Sequence, residues 1–183
     1  RRSHVIHRAL LDRAASGKSF YVYDTIPGLL IQPQDHCQHR DLVANFAKRS
    51  RYFLAYPAKF DDDEARGQSE VGARFFEGAA AGAVMLGRAP TAASFGRAFW
   101  WPNAVVDTGS TVDQLAVALE KFEAEPGLFE ATSRVSAAEA LRKFDWAYRW
   151  KEILRLVGVV PSPKLFDREK HMHELAARGA PAL

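Results

Sequence analysis

The sequence predicts an α/β fold, in which a Rossmann-like parallel sheet carries helices on both faces. Short segments rich in aromatic and β-branched residues alternate with longer segments whose apolar residues recur at helical spacing. Strands separated by helices in this way pair in parallel, and the helices then cover both faces of the sheet. The content of 48% hydrophobic and 26% charged residues is typical of a folded globular domain.

Four strands are predicted from local composition. Residues 19–25 (SFYVYDT) and 51–56 (RYFLAY) are rich in aromatic residues, and Pro27 and Pro57 follow them closely. Residues 83–86 (AVML) and 104–107 (AVVD) are short apolar runs of the kind that form buried strands. These segments would form the parallel sheet.

Helical periodicity predicts the elements between and after the strands: residues 4–15, 39–49, about 69–81, 110–123, and 133–156 in two pieces. Ser110 or Thr111 would cap the helix that follows the fourth strand. From Val157 onward the periodicity is lost. We therefore predict one domain over residues 1–156 and a C-terminal tail over residues 157–183.

Charge and hydropathy exclude several classes of protein. The net charge is only +3, and its 25 basic residues are scattered among 22 acidic ones without a basic stripe, so no nucleic acid partner is expected. No apolar run approaches the ~20 residues needed to cross a bilayer, so the chain is not expected to be transmembrane. The single cysteine, Cys37, excludes an internal disulfide and fits a reducing compartment, so a cytoplasmic location is expected.

The loop that leads into the predicted helix at residues 69–81 is suited to binding phosphate. Gly67, Ser69 and Gly72 are small, and with Gln68 they would let backbone N–H groups approach a ligand closely. The positive end of the helix would favour a negative group there by about 0.5–1 kcal/mol. Such loop-to-helix junctions in parallel sheets bind phosphate groups.

Arg74 and Glu77 lie three residues apart in this helix, so they would share one helix face. The planar guanidinium of Arg74 matches phosphate oxygens, and the carboxylate of Glu77 can accept hydrogen bonds from both hydroxyls of a ribose. One helix could therefore hold the diphosphate and the ribose of a nucleotide. The ordinary alternative is a surface ion pair worth a few tenths of a kcal/mol.

Residues 74–87 (RFFEGAAAGAVMLG) resemble the donor-binding helix of GT-B glycosyltransferases, particularly the group-1 and spore-maturation-like families with an R-x-x-E-x-x-A-x-G core. The resemblance implies that Arg74 faces the donor diphosphate and that Glu77 binds the ribose hydroxyls. Glu70 lies near the position of a further acidic residue close to the sugar, although its spacing to Glu77 is one residue shorter than the common E-x7-E pattern.

The resemblance covers most of residues 19–156 and implies one half of a GT-B fold. The chain would bind a nucleoside-diphosphate sugar as donor, without a metal or other cofactor, and transfer the sugar to an unidentified acceptor. An N-terminal acceptor domain would precede Arg1, pack against this half and supply the catalytic base, so this fragment alone would be inactive and no catalytic residue is assigned within it. The alternative is a non-catalytic nucleotide- or partner-binding α/β module.

Other polar and aromatic residues are weaker candidates. Tyr56 and Lys59 follow the second predicted strand, where Tyr56 would flank the base and Lys59 would approach a phosphate, unless both belong to an ordinary solvated loop. The segment at residues 35–39 (DHCQH) matches no standard zinc spacing, so no metal site is predicted. Trp146 and Trp150 share a helix face and are expected to pack in the core or against a neighbouring domain.

Overall fold

A computed structural model describes residues 4–23, 36–57, 71–109 and 111–179. Within these ranges the chain forms a small sheet with helices around it. The elements in order are α1 (His4–Ala15), α2 (His36–Arg49), β1 (Tyr52–Ala55), α3 (Ala73–Ala80), β2 (Val84–Gly87), α4 (Ala93–Ala98), β3 (Val106–Asp107), α5 (Val112–Ala124), α6 (Pro126–Lys143), α7 (Trp146–Leu156) and α8 (Pro163–Ala177).

The sheet is parallel, and its strands lie in the order β1-β2-β3. Tyr52 pairs with Val84 at the start of β1 and Ala55 with Gly87 at its end, while Gly87 also pairs with Asp107 of β3. Strand order therefore follows chain order, and a helix lies in the chain between each strand and the next. The prediction of an α/β fold with a parallel sheet is confirmed.

Alternating side chains of the sheet enter two separate cores. Met85 packs on one face against residues of α3, α4 and α6, whereas Val84 and Leu86 pack on the other against α5 and Ile6 of α1. Each large apolar side chain buried in this way contributes about 1.5–3 kcal/mol. The two cores include Phe75, Ala79, Phe95, Phe99, Trp101 and Ala140 on the first face, and Leu115, Ala118, Leu119 and Phe122 on the second. Helices cover both faces, as predicted.

Helix α3 approaches the sheet closely at Gly78, and a second glycine, Gly82, terminates the helix. Gly78 faces Met85 of β2, where a Cβ would lie 2.8 Å from the methionine sulfur. Gly82 adopts a φ of +67° and ends the helix, with the N–H of Ala83 donating to the carbonyl of Gly78 at 3.2 Å. The turn leads directly into β2, so α3 runs antiparallel to the strands on either side of it.

The predicted strand at residues 19–25 is wrong for residues 19–23, and residues 24 and 25 lie outside the described ranges. Instead of joining the sheet, Tyr21 and Tyr23 stack on each other and pack edge-on against His7 of α1. Phe20 is 90% exposed. Aromatic composition indicated a strand, but the rings pack on a helix, so the described sheet has three strands instead of four.

The expectation of an aperiodic segment after Val157 is wrong for residues 163–177, which form α8. Pro163 occupies the first turn of this helix, where its missing N–H costs nothing. Helix α8 packs against α6 and α7. An ion pair between Arg168 and Asp145 at 2.6 Å, and another between Lys151 and Glu169 at 2.6 Å, attach it to α7.

Other elements also differ from the prediction, since α6 begins at Pro126 instead of residue 133 and α4 was not predicted. Helix α3 begins at Ala73 instead of near residue 69. Strand β3 is limited to Val106–Asp107, because the chain turns through residues 101–105, where Asn103 adopts a φ of +58°. None of the helices in the described ranges combines the length and apolarity needed to cross a membrane.

Candidate functional site

The carboxyl ends of the three strands form one edge of the sheet, which we call the carboxyl edge; it comprises Ala55, Gly87 and Asp107 with the residues that directly follow them. Helix α3 has eight residues and is about 12 Å long, which matches the roughly 13 Å of a four-residue strand. Because α3 ends at the start of β2, it begins near the carboxyl edge. Ligands of open parallel sheets bind at this edge.

Helix α3 exposes Arg74 and Glu77 on the same face, as their spacing predicts, and it buries Phe75, Gly78 and Ala79 on the other. Neither Arg74 nor Glu77 makes a hydrogen bond or an ion pair within the described part of the chain. The ordinary ion pair between them is therefore not formed. The core that surrounds this helix holds its inner face and leaves both charged groups open to solvent.

Among the residues that the structure describes, no group compensates the positive end of α3. Gly72 occupies the N-cap position and offers no side-chain cap, and the first turn contains no acidic residue. Arg74 is the second residue of the helix, so a cation stands where the helix dipole favours an anion. Helix α5 begins in the usual way, with a Thr111 hydroxyl cap and Asp113 in its first turn. An anion would therefore be stabilised more at α3 than at α5.

Tyr56 and Thr108 connect the ends of the two outer strands. Their hydroxyl oxygens lie 2.9 Å apart, and the fully buried Thr108 also donates its N–H to the carbonyl of Gly87 at 2.8 Å. Burial raises the pKa of Tyr56; the hydrogen bond with Thr108 opposes this effect and the nearby Asp107 carboxylate adds to it. The phenol therefore stays neutral and holds its place at the carboxyl edge. The role predicted for Tyr56 beside a base stays a prediction.

The loop after β3 is shaped by a glycine. Gly109 has a φ of +55° and donates its N–H to the Asp107 carboxylate at 2.7 Å. A Cβ at this position would overlap the side-chain amide of Gln114. The backbone therefore passes close to the first turn of α5 and turns the chain sharply at the carboxyl edge.

Arg88 is a candidate that the sequence reasoning missed. It directly follows β2, and its backbone N–H donates to the carbonyl of Ala55 at 3.1 Å. Its side chain is exposed and makes no hydrogen bond or ion pair within the ranges that the structure describes. In the sequence, the Gly87-Arg88 pair directly after a buried strand could have indicated Arg88 as a site residue. Thr108 and Gly109 carried a similar signal, a Thr-Gly pair directly after Asp107.

Several predicted site residues lie outside the ranges that the structure describes. Lys59 and the glycine-containing loop before α3 lie outside the described ranges, so their roles stay predictions. The residues concerned in that loop are Gly67, Gln68, Ser69 and Glu70. At the DHCQH segment, His36 and Cys37 begin α2, and no three His, Cys, Asp or Glu side chains within the described residues gather closely enough to hold a metal ion.

Comparison with known proteins identifies the family. Residues 2–155 match the model of a family described as glycosyl transferase-like. The chain belongs to the glycosyl transferase-like family. Comparisons with curated proteins and with solved structures gave no match. Membership of the family supports glycosyl transfer as the general function, with a sugar donor and an acceptor as binding partners. The family match includes α3 with Arg74 and Glu77, and it ends before α8.

Proposed function

We propose that this chain is the donor-binding half of a GT-B glycosyltransferase, which transfers a sugar from a nucleoside-diphosphate sugar to an acceptor. The observation that carries the proposal is the exposed face of α3, where Arg74 and Glu77 stand side by side near the carboxyl edge with no partner in the described part of the chain. Family membership supplies the reaction class, and this face supplies the groups that a nucleotide donor requires.

Arg74 would stabilise the leaving diphosphate. In glycosyl transfer the bond between the anomeric carbon and a diphosphate oxygen breaks, and the oxygen keeps the electron pair. Negative charge therefore grows on the diphosphate as the reaction proceeds. The guanidinium of Arg74 and the uncapped N–H groups at the start of α3 are donors suited to that charge. With these groups in place, the reaction would need no metal ion.

Arg88 would supply a second positive charge. It directly follows the central strand of the sheet, and its guanidinium has no partner within the described ranges. Two free cations, Arg74 and Arg88, match the charge that develops on a departing nucleoside diphosphate better than one does. This role goes beyond the residues identified from sequence.

Glu77 would select the ribose. It lies one helical turn after Arg74, so a diphosphate held at the start of α3 would leave the ribose hydroxyls near its carboxylate. Tyr56 would flank the base, while Glu70 and the loop of Gly67, Gln68 and Ser69 would complete the site. Lys59 would approach a phosphate. The acceptor and the catalytic base would be held by an N-terminal acceptor domain.

Calorimetric titration with UDP, GDP and ADP tests the proposal. We expect at least one of them to bind, with unchanged affinity when a chelator removes divalent ions. Arg74→Gln and Glu77→Gln should each weaken binding by about 10- to 100-fold, since each removes a hydrogen bond with a charged group worth about 1.5–3 kcal/mol.

Two matched variants provide the controls. Arg49 is exposed at the end of α2, which lies three residues before β1 begins and therefore at the opposite edge of the sheet. Glu120 is exposed in the second half of α5. Arg49→Gln and Glu120→Gln should leave binding unchanged. Absence of binding by all three nucleotides, or equal losses in the control variants, would contradict the proposal. Binding without sugar transfer by the full-length protein would favour the non-catalytic module.

A further inference from the structure

The segment that connects α7 to α8 exposes apolar side chains. It comprises residues 157–162, which we call the linker. Val157, Val159 and Val160 of the linker are 65%, 51% and 86% exposed. Burial of aliphatic side chains stabilises a protein, so the linker loses that contribution as long as its valines face water.

A glycine turn folds the chain back at the start of the linker. Gly158 has a φ of +71°, and the N–H groups of Gly158 and Val159 donate to carbonyls in the last turn of α7 at 3.2 and 2.9 Å. After this turn, Val160 donates no backbone hydrogen bond within the described residues. Pro161 favours an extended conformation at the residue before it. The reversal of the chain therefore depends on Gly158, and the rest of the linker is able to extend.

Helix α7 has one side covered by α8 and another side open to solvent. On the covered side, Tyr148 packs edge-on against His173 of α8, with the ring centroids 6.0 Å apart. Trp146 and Trp150 face solvent and are 74% and 52% exposed. The expectation that these two tryptophans pack in the core is therefore wrong, and their packing against a neighbouring domain stays a prediction.

Helix α8 is held by contacts that do not depend on the linker. Both carboxylate oxygens of Asp145 accept hydrogen bonds from the Arg168 guanidinium, at 2.9 and 2.6 Å. Both carboxylate oxygens of Glu169 accept from the Nζ of Lys151 at 2.6 Å. The helix also packs against α6, and its Ala176 is buried. These contacts join side chains of separate helices, so each would form equally well with the α8 of another molecule.

We propose that α8 exchanges between two copies of this chain, so that each α8 docks on α6 and α7 of the other copy. The occupant of the docking surface is defined, because the exchanged helix makes the same contacts that it makes within one chain. The turn at Gly158 would open, and the two extended linkers would pass each other with their valines in contact across the two-fold axis. Short linkers that constrain a turn favour exchange of this kind. The proposal does not depend on the donor site.

Sedimentation equilibrium of the whole chain, refolded at high concentration, measures the exchange. We expect a dimer whose fraction rises with protein concentration. Gly158→Val should raise the association constant about 10- to 100-fold, because a β-branched residue disfavours a φ of +71° and each dimer opens two such turns. Gly17→Val is the matched control, since Gly17 has a φ of +74° and an added Cβ meets nothing within 4 Å at either glycine. It should leave the association constant unchanged.

Charge reversal at Lys151 and Glu169 tests whether α8 crosses between the copies. Lys151→Glu alone and Glu169→Lys alone each bring two like charges together, whether α8 docks in its own chain or in a second copy of the same variant. Only an exchanged dimer that contains one copy of each variant restores both attractive pairs. The two variants refolded together should therefore form heterodimers in about tenfold excess over random mixing, detected by native mass spectrometry with one variant isotope-labelled.

Glu152 and Arg155 provide the control pair, since both lie in α7 and exchange of α8 cannot divide their ion pair of 2.7 Å. Glu152→Arg and Arg155→Glu refolded together should mix at random. A chain that stays monomeric at every concentration would overturn the proposal. Random mixing of the first pair would also overturn it and would assign any dimer to another surface. An equal rise in association for Gly17→Val and Gly158→Val would show a general loss of stability instead of exchange.

Discussion

The hydroxyl groups of Tyr56 and Thr108 lie 2.9 Å apart and join the ends of the two outer strands past the end of the central one. Each residue directly follows its strand, so the contact braces the carboxyl edge at the point where a ligand would bind. The brace is formed by the chain itself. The edge is thus organised before any ligand arrives.

Removing one side of this brace should destabilise the fold. Tyr56→Phe deletes the hydrogen bond with Thr108 and leaves the buried threonine hydroxyl with only a long contact of 3.5 Å to the carbonyl of Gly87. The expected loss is about 1 kcal/mol in the free energy of unfolding, measured by urea denaturation. Tyr52 provides the control, because its hydroxyl is buried at the start of β1 and has no hydrogen-bond partner in the described residues. Tyr52→Phe should leave the free energy of unfolding unchanged or raise it. Equal losses of stability in the two variants would show that the hydrogen bond between Tyr56 and Thr108 does not stabilise the fold.

Gly87 should not tolerate a side chain. A Cβ there would overlap the backbone carbonyl of Ala55 in the neighbouring strand, which cannot move without breaking the pairing of β1 and β2. Gly87→Ala should cost about 3 kcal/mol or more, seen as a lower midpoint of thermal unfolding. At Gly96 in α4 an added Cβ meets nothing within 4 Å, so Gly96→Ala should be neutral or slightly stabilising. Similar behaviour of the two variants would show that the contact at Gly87 is not restrictive.

Arg88 should contribute to nucleotide binding as a second cation. Arg88→Gln should weaken the affinity for the nucleoside diphosphate by about tenfold, because it removes one charge-assisted contact. The same change should leave thermal stability within about 0.5 kcal/mol, since the side chain is exposed and has no partner in the described ranges. Titration of Arg88→Gln beside Arg49→Gln measures the difference. Equal affinity of the two variants would remove Arg88 from the site.

The ion pair between Asp145 and Arg168 should make stability depend on pH at the acid end. The Arg168 guanidinium lowers the pKa of Asp145, and burial only partly opposes this effect, while the N–H of Ala147 also lowers the pKa. A carboxyl group whose pKa is lowered by folding contributes stability above its unfolded pKa of about 3.9 and loses it as pH falls through the folded value. The difference in unfolding free energy between wild type and Arg168→Gln should be about 1 kcal/mol or less near pH 7, because Arg168 is 58% exposed.

That difference should shrink below about pH 4, which denaturation series at several pH values will detect. Arg155→Gln is the matched control, because Arg155 forms an ion pair with Glu152 within the exposed surface of α7. Its effect on stability should be smaller than that of Arg168→Gln. A difference for Arg168→Gln that grows as the pH falls would contradict the role given to Asp145.

Most of the fold could be predicted because the deciding signals were local. The helical spacing of residues 4–15 identified α1 to the residue, and the apolar run AVML at residues 83–86 located β2 to within one residue. The errors came from tertiary contacts that periodicity does not encode. Tyr21 and Tyr23 have strand composition but pack on His7, and α8 gains its stability from contacts with α6 and α7 instead of from a strongly apolar stripe.

The site was predictable in part for a similar reason. The spacing of Arg74 and Glu77 fixed their common face, but it left open whether they pair with each other, and in the structure they do not. Arg88 and Thr108 are far apart in sequence, and they lie at the same edge of the sheet only because β2 and β3 are neighbouring strands. That relationship depends on strand order, which local patterns do not reveal.

Helix α8 has a consequence for the order in which the protein matures. Asp145 and Lys151 form their ion pairs with Arg168 and Glu169 of α8, which follows them in the chain and lies beyond the part shared with the family, and Tyr148 packs edge-on against His173 of the same helix. During synthesis the residues of α3 and of the carboxyl edge are therefore made before α8. A released chain truncated after Leu156 would therefore keep α3 and the carboxyl edge and lose the two ion pairs that attach α8 to α7.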